Sequence, residues 1–574
     1  MENTATLAGK SATNANKQAK PLIEYFYRWE KERPNNTYLR QPIGDDWQSY
    51  TFSQVSDQAR RIASALQAMG LQKGDNVGLV SKNCVHWVIN DLAIMMGGFV
   101  SVPFYPTLNS EQLREVVEHS GCKVLFVGKL DEPVWKDMKA GIPDGVKVVT
   151  YPQYSYSAKI EGDGYIKWDD LCKTHSPMEG NYVPDINDLA TIIYTSGTTG
   201  MPKGVMHTYF TMFASLNAGA GPLMLDEGDG SARFFSYLPL CHIAERAIVE
   251  TASLYSGGMI SFAETLDSFP KNLAATQPTH FLAVPRIWTK FQLGILAKMS
   301  QSKLNLFLKI PILNNIVRKK IKTGLGLSEA KLILTGAAPM PASLIQWFQK
   351  LGIIVQEAYG MTENGGCCTL MRKNNIKMGT IGQLYDGAEV KIDPDSGEIL
   401  MKADWVMTGY YKEPEKTAET IKDGWLHTGD AGNIDKDKFL TITGRVKDTF
   451  KTAKGEFIVP APIEFGFAQN NYIEQVCLTG RTLPQPVALV VLSEIGKAED
   501  KDVVTSAITE SLDALNATLR NFEKVEKVIV VKEAWAVENG VLTPTLKIKR
   551  NIIEQKYNDK LENWYQSKDK IVWE

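Results

Sequence analysis

What this 574-residue sequence has little of narrows it quickly. Cysteine is scarce: seven residues, an odd count, with no Cys-x-x-Cys pair. That argues against a disulfide scaffold and predicts a reduced, cytoplasmic protein. Adjacent Cys367 and Cys368 are badly placed to chelate one ion together and are expected in the core or a pocket wall. No charge sign dominates. The 63 basic and 65 acidic residues leave a net charge of −2, so composition points to no nucleic-acid partner. No apolar run is long enough to span a bilayer. The longest uncharged stretch, residues 92–110, is broken by Gly97, Gly98, Pro103 and Pro106 and is expected as buried core. The first twenty residues lack the apolar centre of a signal peptide and are expected as a disordered tail. No internal repeat is present.

What is there describes a well-packed α/β protein. Apolar residues make up 44% and aromatics 9% of a chain too long for one hydrophobic core. Length alone suggests roughly three or four domain-sized units. Residues 47–70 carry a Thr51-x-x-Gln54 capping box and end at a glycine, which predicts a helix. Apolar runs then alternate with amphipathic stretches at 76–80, 87–96, 99–104, 111–120 and 123–127. The rhythm returns at 232–237, 279–284, 332–335 and 353–358 and implies a sheet flanked by helices. A polar segment, GRVKD at 444–448, marks a domain boundary. Beyond it, runs at 487–492 and 528–531 predict a separate domain with its own strands.

The most distinctive stretch is IIYTSGTTGMPKGV, residues 192–205. A β-branched run expected as a buried strand turns abruptly into Thr195, Ser196, Gly197, Thr198, Thr199 and Gly200, with Pro202 and Lys203 following. Glycines allow tight turns with exposed N–H groups, hydroxyls donate, and lysine adds a compact charge. Such a loop can cradle a polyphosphate. It is not the GxxxxGK[ST] loop, because Pro202 precedes Lys203 and no hydroxyl residue follows it. A second feature is the segment 301–328, which contains six Lys or Arg and no acid. Leu304, Phe307, Leu308, Ile312, Leu313, Ile316 and Val317 give it apolar faces. It fits either a peripheral membrane contact or a solvated basic helix packed on the core.

Six segments, in order, resemble the adenylate-forming (AMP-binding) superfamily. They are the loop above, YLPLCHIAER (237–246), LTGAAPMP (334–341), QEAYGMTEN (356–364), GWLHTGDAG with TGRVKDTFKTAKGEFIVPAPIE (424–464), and LTPTLKIKR (542–550). With VPRIW (284–288), the details look most like bacterial long-chain fatty acyl-CoA synthetases. The resemblance implies a large N-terminal domain (21–444) of stacked α/β subdomains with a β-barrel-like portion. A small mobile α+β C-terminal domain (445–574) would follow, hinged near Lys447.

It also implies ATP, Mg²⁺ and coenzyme A, with a fatty acid as the acid substrate. Thr195 to Lys203 would hold the β- and γ-phosphates. Glu363 would bind Mg²⁺, with Thr195 as a second ligand, and Thr362 would touch the α-phosphate. Gly336, Ala337 and Ala338 would admit the adenine, beside Glu357, Ala358, Tyr359, Gly360 and Met361, with the Tyr359 ring offering a stacking face. Asp430 and Arg445 would hold the ribose, while His427 would be structural. Lys547 would complete the site over the α-phosphate, in preference to Lys549. Lys451 and Gly455 would face the site during the CoA step. His242 would gate the acyl pocket or orient the carboxylate, and Arg286 and Trp288 would shape the acyl tunnel. Lys438 stands where relatives often have glycine. A homodimer stays open.

The implied reaction joins a fatty acid to ATP as acyl-adenylate and then transfers the acyl group to CoA. Alternatives are loading of another acceptor or carrier protein, a medium-chain or aryl acid, an ATP-cleaving kinase or P-loop NTPase, and a non-catalytic acyl- or nucleotide-binding protein. The missing GxxxxGK[ST] speaks against the NTPase, and the presence of Lys203, Glu363, Asp430 and Lys547 speaks against pure binding.

Overall fold

The computed structural model describes residues 7–8, 18–195, 202–467, 470–536, 539–543 and 547–574. Ser196, Gly197, Thr198, Thr199 and Gly200 therefore lie outside the described residues, as does most of the segment expected as a disordered tail. Within that segment Leu7–Ala8 pairs antiparallel with Glu389–Ile392, a correction to the tail expectation. A sheet edge carries unpaired backbone groups that accept any extended segment within reach.

Two large sheets carry the N-terminal part. One has eight strands, with Val100–Phe104, Asn76–Val80, Val124–Val127, Lys147–Thr150 and Ile166–Lys167 in parallel succession. Its other side runs through Leu189–Thr195 to the antiparallel Lys203–Thr208 and Gly409–Tyr410. The second sheet has nine strands, and its parallel centre includes Leu332–Thr335, His280–Ala283, Arg233–Ser236 and Met259–Phe262. Gln356–Tyr359 joins that centre beside Leu332–Thr335. The predicted alternation is present, including the helix Phe52–Ala68 with both halves of its Thr51/Gln54 capping box. Residues 47–50 belong instead to the preceding strand Asp46–Thr51. The uncharged run 92–110 supplies the end of helix Val85–Gly97 and the fully buried strand Val100–Phe104.

Where a barrel-like portion is expected, the chain forms an open six-stranded antiparallel sheet that branches at the ten-residue strand Trp425–Ile434. After Arg445 the chain makes a short turn, Val446–Asp448, and enters a separate body. That body has a four-stranded sheet, Ile473–Thr479, Val487–Leu492, Lys527–Val530 and Ile571–Trp573. Helices Pro460–Phe467, Lys501–Asn516 and Arg550–Tyr565 pack on it. Its buried apolar residues, from Phe450 onward, form clusters separate from those of the preceding chain. All seven cysteines are free, and Cys367 and Cys368 are buried in the main core.

Candidate active site

The strand Leu189–Thr195 and its partner Lys203–Thr208 pair with Lys203 opposite Thr195, so the hydroxyl-rich loop joins two adjacent antiparallel strands. This fixes both ends of the loop on buried sheet. The Lys203 ammonium lies 4.7 Å from the centre of the Tyr410 ring. The Tyr410 hydroxyl in turn donates to Glu363 Oε1 at 2.8 Å. A tyrosine on the neighbouring strand Gly409–Tyr410 thus links the loop lysine to the carboxylate expected to hold the cation. Burial, then Glu363, raises the Tyr410 pKa, so it remains a donor.

Glu363 is buried in the turn Thr362–Asn364, with its backbone carbonyl accepting from Met407 N at 2.8 Å. His207 holds the preceding residue: its Nε2 lies 2.7 Å from the Thr362 carbonyl. A carbonyl only accepts, so Nε2 carries the proton there. Burial pushes His207 down to about 4, which keeps the ring neutral at ordinary pH. Tyr410 and His207 position the site, yet both escaped the sequence reading. Only their tertiary contacts mark them, since neither lies in a recognisable loop pattern.

Across the cleft, Asp430 has both carboxylate oxygens engaged. Tyr359 donates to Oδ2 at 2.6 Å and the Arg445 guanidinium lies 3.1 Å from Oδ1. Tyr359 therefore brings a hydroxyl to Asp430 in addition to its ring. Asp430 is set by Glu398, which accepts from Gly429 N at 2.7 Å and pairs with His427 at 2.9 Å.

Gly336 approaches Ala358 so closely that a Cβ would sit 3.0 Å from its carbonyl oxygen. At Gly360 a Cβ would come within 2.1 Å of the Gly366 carbonyl. Ala337 takes a left-handed φ of 64° beside exposed Ala338, leaving a flat, small-residue floor. Strain of that kind costs on the order of 1 kcal/mol and gathers at ligand-binding sites. Glu357 is pushed up to about 7 by burial and accepts from Met340 N at 3.2 Å. Met361 N donates to Asn364 Oδ1 at 2.8 Å, closing the turn that carries Glu363.

Lys547 comes from the other body and lies within the electrostatic surroundings of this group. Its loop is tied by Lys547 N to Thr543 Oγ1 at 3.0 Å and by the Leu542–Ile548 bridge. Arg550 anchors the loop from behind through Glu464 at 2.7 Å. The lysine is exposed at the surface, while surrounding protein still crowds its ammonium. That desolvation, then Arg445, lowers its pKa, while Asp430 and Glu363 oppose the fall. Four groups from separate elements therefore share one electrostatic neighbourhood. Lys549 stands at the N-terminal boundary of the helix Arg550–Tyr565, with no side-chain hydrogen bond to its first turn.

His242 is part of the same neighbourhood. Burial, then Lys547, lowers it to about 4. Its Nδ1 accepts from Ala244 N at 3.2 Å, which places the ring proton on Nε2. Two residues of the same motif prove structural. Glu245 accepts from Tyr237 N at 2.9 Å and is pushed up to about 8 by burial. Arg246 is buried in a pair with Asp91 at 2.8 Å.

Arg286 and Trp288, expected to shape the acyl tunnel, sit on the helix Pro285–Lys298. Arg286 is half-exposed and ion-paired with Glu474 of the C-terminal body. Trp288 is fully buried among Phe281, Phe291 and Phe348, with Nε1 donating to Ala283 O at 3.1 Å. A charged side chain on an exposed first turn finds its partner in space, which its sequence neighbours do not reveal. Lys447 is exposed in the turn between the two bodies. Lys451 and Gly455 lie on the hairpin Phe450–Lys451/Phe457–Ile458, where Gly455 takes φ 84°. No hydrogen bond or ion pair joins them to the nucleotide site among the described residues.

Buried Glu363, the closely packed small residues around Gly336 and Gly360, and Lys547 from the second body make up the candidate site. The chain belongs to the AMP-binding enzymes: that family's model matches residues 26–411, and the model for its C-terminal domain matches 447–569. Long-chain-fatty-acid–CoA ligase 5 of Mus musculus is 30% identical, over 96% of this chain and 89% of its own. Long-chain-fatty-acid–CoA ligase FadD15 of Mycobacterium bovis is 28% identical, over 94% and 96% respectively. The adenylation domain of carboxylic acid reductase from Segniliparus rugosus, solved with AMP and a co-purified carboxylic acid, shares the fold. Its TM-score is 0.78 at 20% identity, covering 96% of this chain and 95% of that one.

Proposed function

We propose that this protein is an AMP-forming long-chain fatty acid–CoA ligase. The observation that carries the proposal is buried Glu363 held by Tyr410, whose ring also meets Lys203, with Lys547 of the second body in the electrostatic surroundings of Glu363 and Asp430. The long-chain assignment is supported by relatives of that name along nearly their whole length. In the first step the acid's carboxylate attacks the α-phosphorus of ATP and pyrophosphate leaves. Negative charge spreads over the phosphoryl oxygens, and fixed cations positioned in advance lower that barrier most. Lys547 and Lys203 are those cations, one over the reacting phosphate and one at the leaving group. Neutral His242, with Nδ1 committed, offers Nε2–H to the carboxylate.

The donor set fits Mg²⁺. Glu363 has one oxygen engaged by Tyr410, and no cage of three or more protein ligands exists among the described residues. Mg²⁺ is commonly held by one or two carboxylates together with substrate phosphates. When bound, it would neutralise phosphate charge beside Glu363, with Thr195 as the second protein ligand.

In the second step CoA thiolate displaces AMP from the acyl-adenylate. We assign this step to rotation of 445–574 about Lys447, which withdraws Lys547 and brings Lys451 and Gly455 toward the site. Such rotation needs a body with its own core, and the separate apolar clusters support that reading. Peripheral contact with a membrane, from which long acids would arrive, belongs to the same proposal.

Acid-dependent ATP–pyrophosphate exchange across chain lengths, followed by CoA addition, tests the assignment. We expect exchange to rise with chain length and thioester to form. A maximum with short or aromatic acids would overturn the long-chain assignment, and exchange without thioester would favour a carrier-loading enzyme.

A further inference from the structure

The basic segment that the catalytic site leaves unused forms two helices, Gln301–Lys309 and Pro311–Gly324. Its apolar residues divide between two faces. Leu304 is buried in the core beneath, and Leu308, Val317 and Ile321 pack against that core. Trp347 Nε1 donates to Gln301 at 2.8 Å and Arg318 donates to the Lys350 carbonyl at 2.8 Å, fastening both helices to the body. The outer face carries Leu306, Ile310, Ile312 and Ile316, which are 57%, 41%, 75% and 56% exposed. Four large aliphatics standing in water within eleven residues are not what an ordinary solvated helix presents.

Lysines surround this apolar ridge. Lys303, Lys309, Lys319 and Lys320 are exposed, and no carboxylate pairs with any of them among the described residues. Lys322 is lowered by burial and then by Arg318 and Lys373, so the local field is one of unrelieved positive charge. Aliphatics flanked by lysines suit a surface with anionic headgroups above hydrocarbon. A second copy of the chain fits poorly, because the two basic faces would repel.

We infer that the helix pair 301–324 docks on an anionic lipid bilayer, with Leu306, Ile310, Ile312 and Ile316 entering the acyl boundary and Lys303, Lys309, Lys319 and Lys320 meeting the headgroups. The use of this surface for substrate supply rests on the ligase reading; the surface itself does not.

Flotation of the full chain with vesicles tests the inference. Phosphatidylcholine vesicles with phosphatidylglycerol should bind at least tenfold more tightly than phosphatidylcholine alone, and salt should weaken the binding. A Leu306→Asn, Ile312→Asn, Ile316→Asn variant should lose at least tenfold in affinity. A Lys309→Gln, Lys319→Gln, Lys320→Gln variant should lose the preference for phosphatidylglycerol. Both should keep wild-type exchange activity in vesicle-free solution, which shows that they fold. Wild-type binding by the asparagine variant, or equal binding to both vesicle types, would overturn the inference. So would a wild-type dimer that the same substitutions convert to monomer. Lipid binding without exchange on any acid would leave this surface standing and remove the ligase reading alone.

Discussion

Arg286, on the first turn of helix Pro285–Lys298, is ion-paired with Glu474 on the first long strand of the C-terminal body. It joins the two bodies in the orientation in which Lys547 feels the charges of Asp430 and Glu363. An exposed pair contributes about 0–1 kcal/mol, far too little to hold a fold. The same amount shifts a two-orientation equilibrium by up to roughly fivefold. Arg286→Glu should therefore slow acid-dependent exchange about two- to fivefold without slowing thioester formation from supplied acyl-adenylate. Adding Glu474→Arg should restore exchange. Equal losses in both half-reactions, or no recovery in the swap, would refute a role in orientation.

Lys547→Ala removes the cation from the adenylation geometry. Loss of one preorganised donor to developing charge costs about 10²–10³ in rate. Exchange should fall by that factor, while thioester formation from supplied acyl-adenylate should change much less. Single-turnover assays of each step separate the two.

Tyr410→Phe leaves the Glu363 carboxylate without the hydroxyl that orients it. Partners of this kind typically change metal affinity by about 10–100-fold. The Mg²⁺ concentration giving half-maximal exchange should rise at least tenfold, with the KM for the acid unchanged. An unaltered Mg²⁺ titration would show that Glu363 is not the cation ligand.

Glu245 offers a pH signature. Its folded pKa is pushed up to about 8 by burial, above the ordinary 4.5. Below pH 4.5 the group is protonated in both states and costs nothing. As pH rises toward 8 the unfolded chain releases the proton first, so stability is lost across that window. Glu245→Gln has no such dependence and can still accept from Tyr237 N. Relative to wild type it should gain about 1–3 kcal/mol between pH 5 and pH 7, read by urea denaturation at each pH. A constant difference would refute the raised pKa.

Lys438 occupies a left-handed backbone position, φ 67°, in the turn before Phe439. A side chain there is strained and glycine is not. Lys438→Gly should raise stability by about 0.5–1 kcal/mol in chemical denaturation without altering exchange. The reading that this lysine replaces a favoured glycine affects local geometry and not chemistry.

Much of the fold was legible because its signals are local. Buried parallel strands appear as short apolar runs, and the predicted runs at 76–80, 332–335 and 487–492 coincide with strands. The Thr51 cap was legible because a capping box closes within four residues. Glu363, Asp430 and Lys547 could be named as candidates from the sequence because they sit in dense motifs. Tyr410 and His207 could not, because one reaches Glu363 and the other Thr362 only after strands distant in sequence pair. The Arg286–Glu474 pair was not legible for the same reason: neighbouring residues do not tell which side of a helix faces another domain.

The sequence by itself determined the class of chemistry, the order of the elements and the place where the chain divides. Those depend on residue types at short spacing, which local sterics and hydrogen bonding translate directly. Only the tertiary structure decided which charges meet. It placed Lys547 within the electrostatic reach of Asp430 and Glu363, set Arg286 against Glu474, and sorted the apolar residues of 301–324 into an inner and an outer face. Each of these depends on long-range packing, in which partners far apart along the chain become neighbours only once the cores have closed.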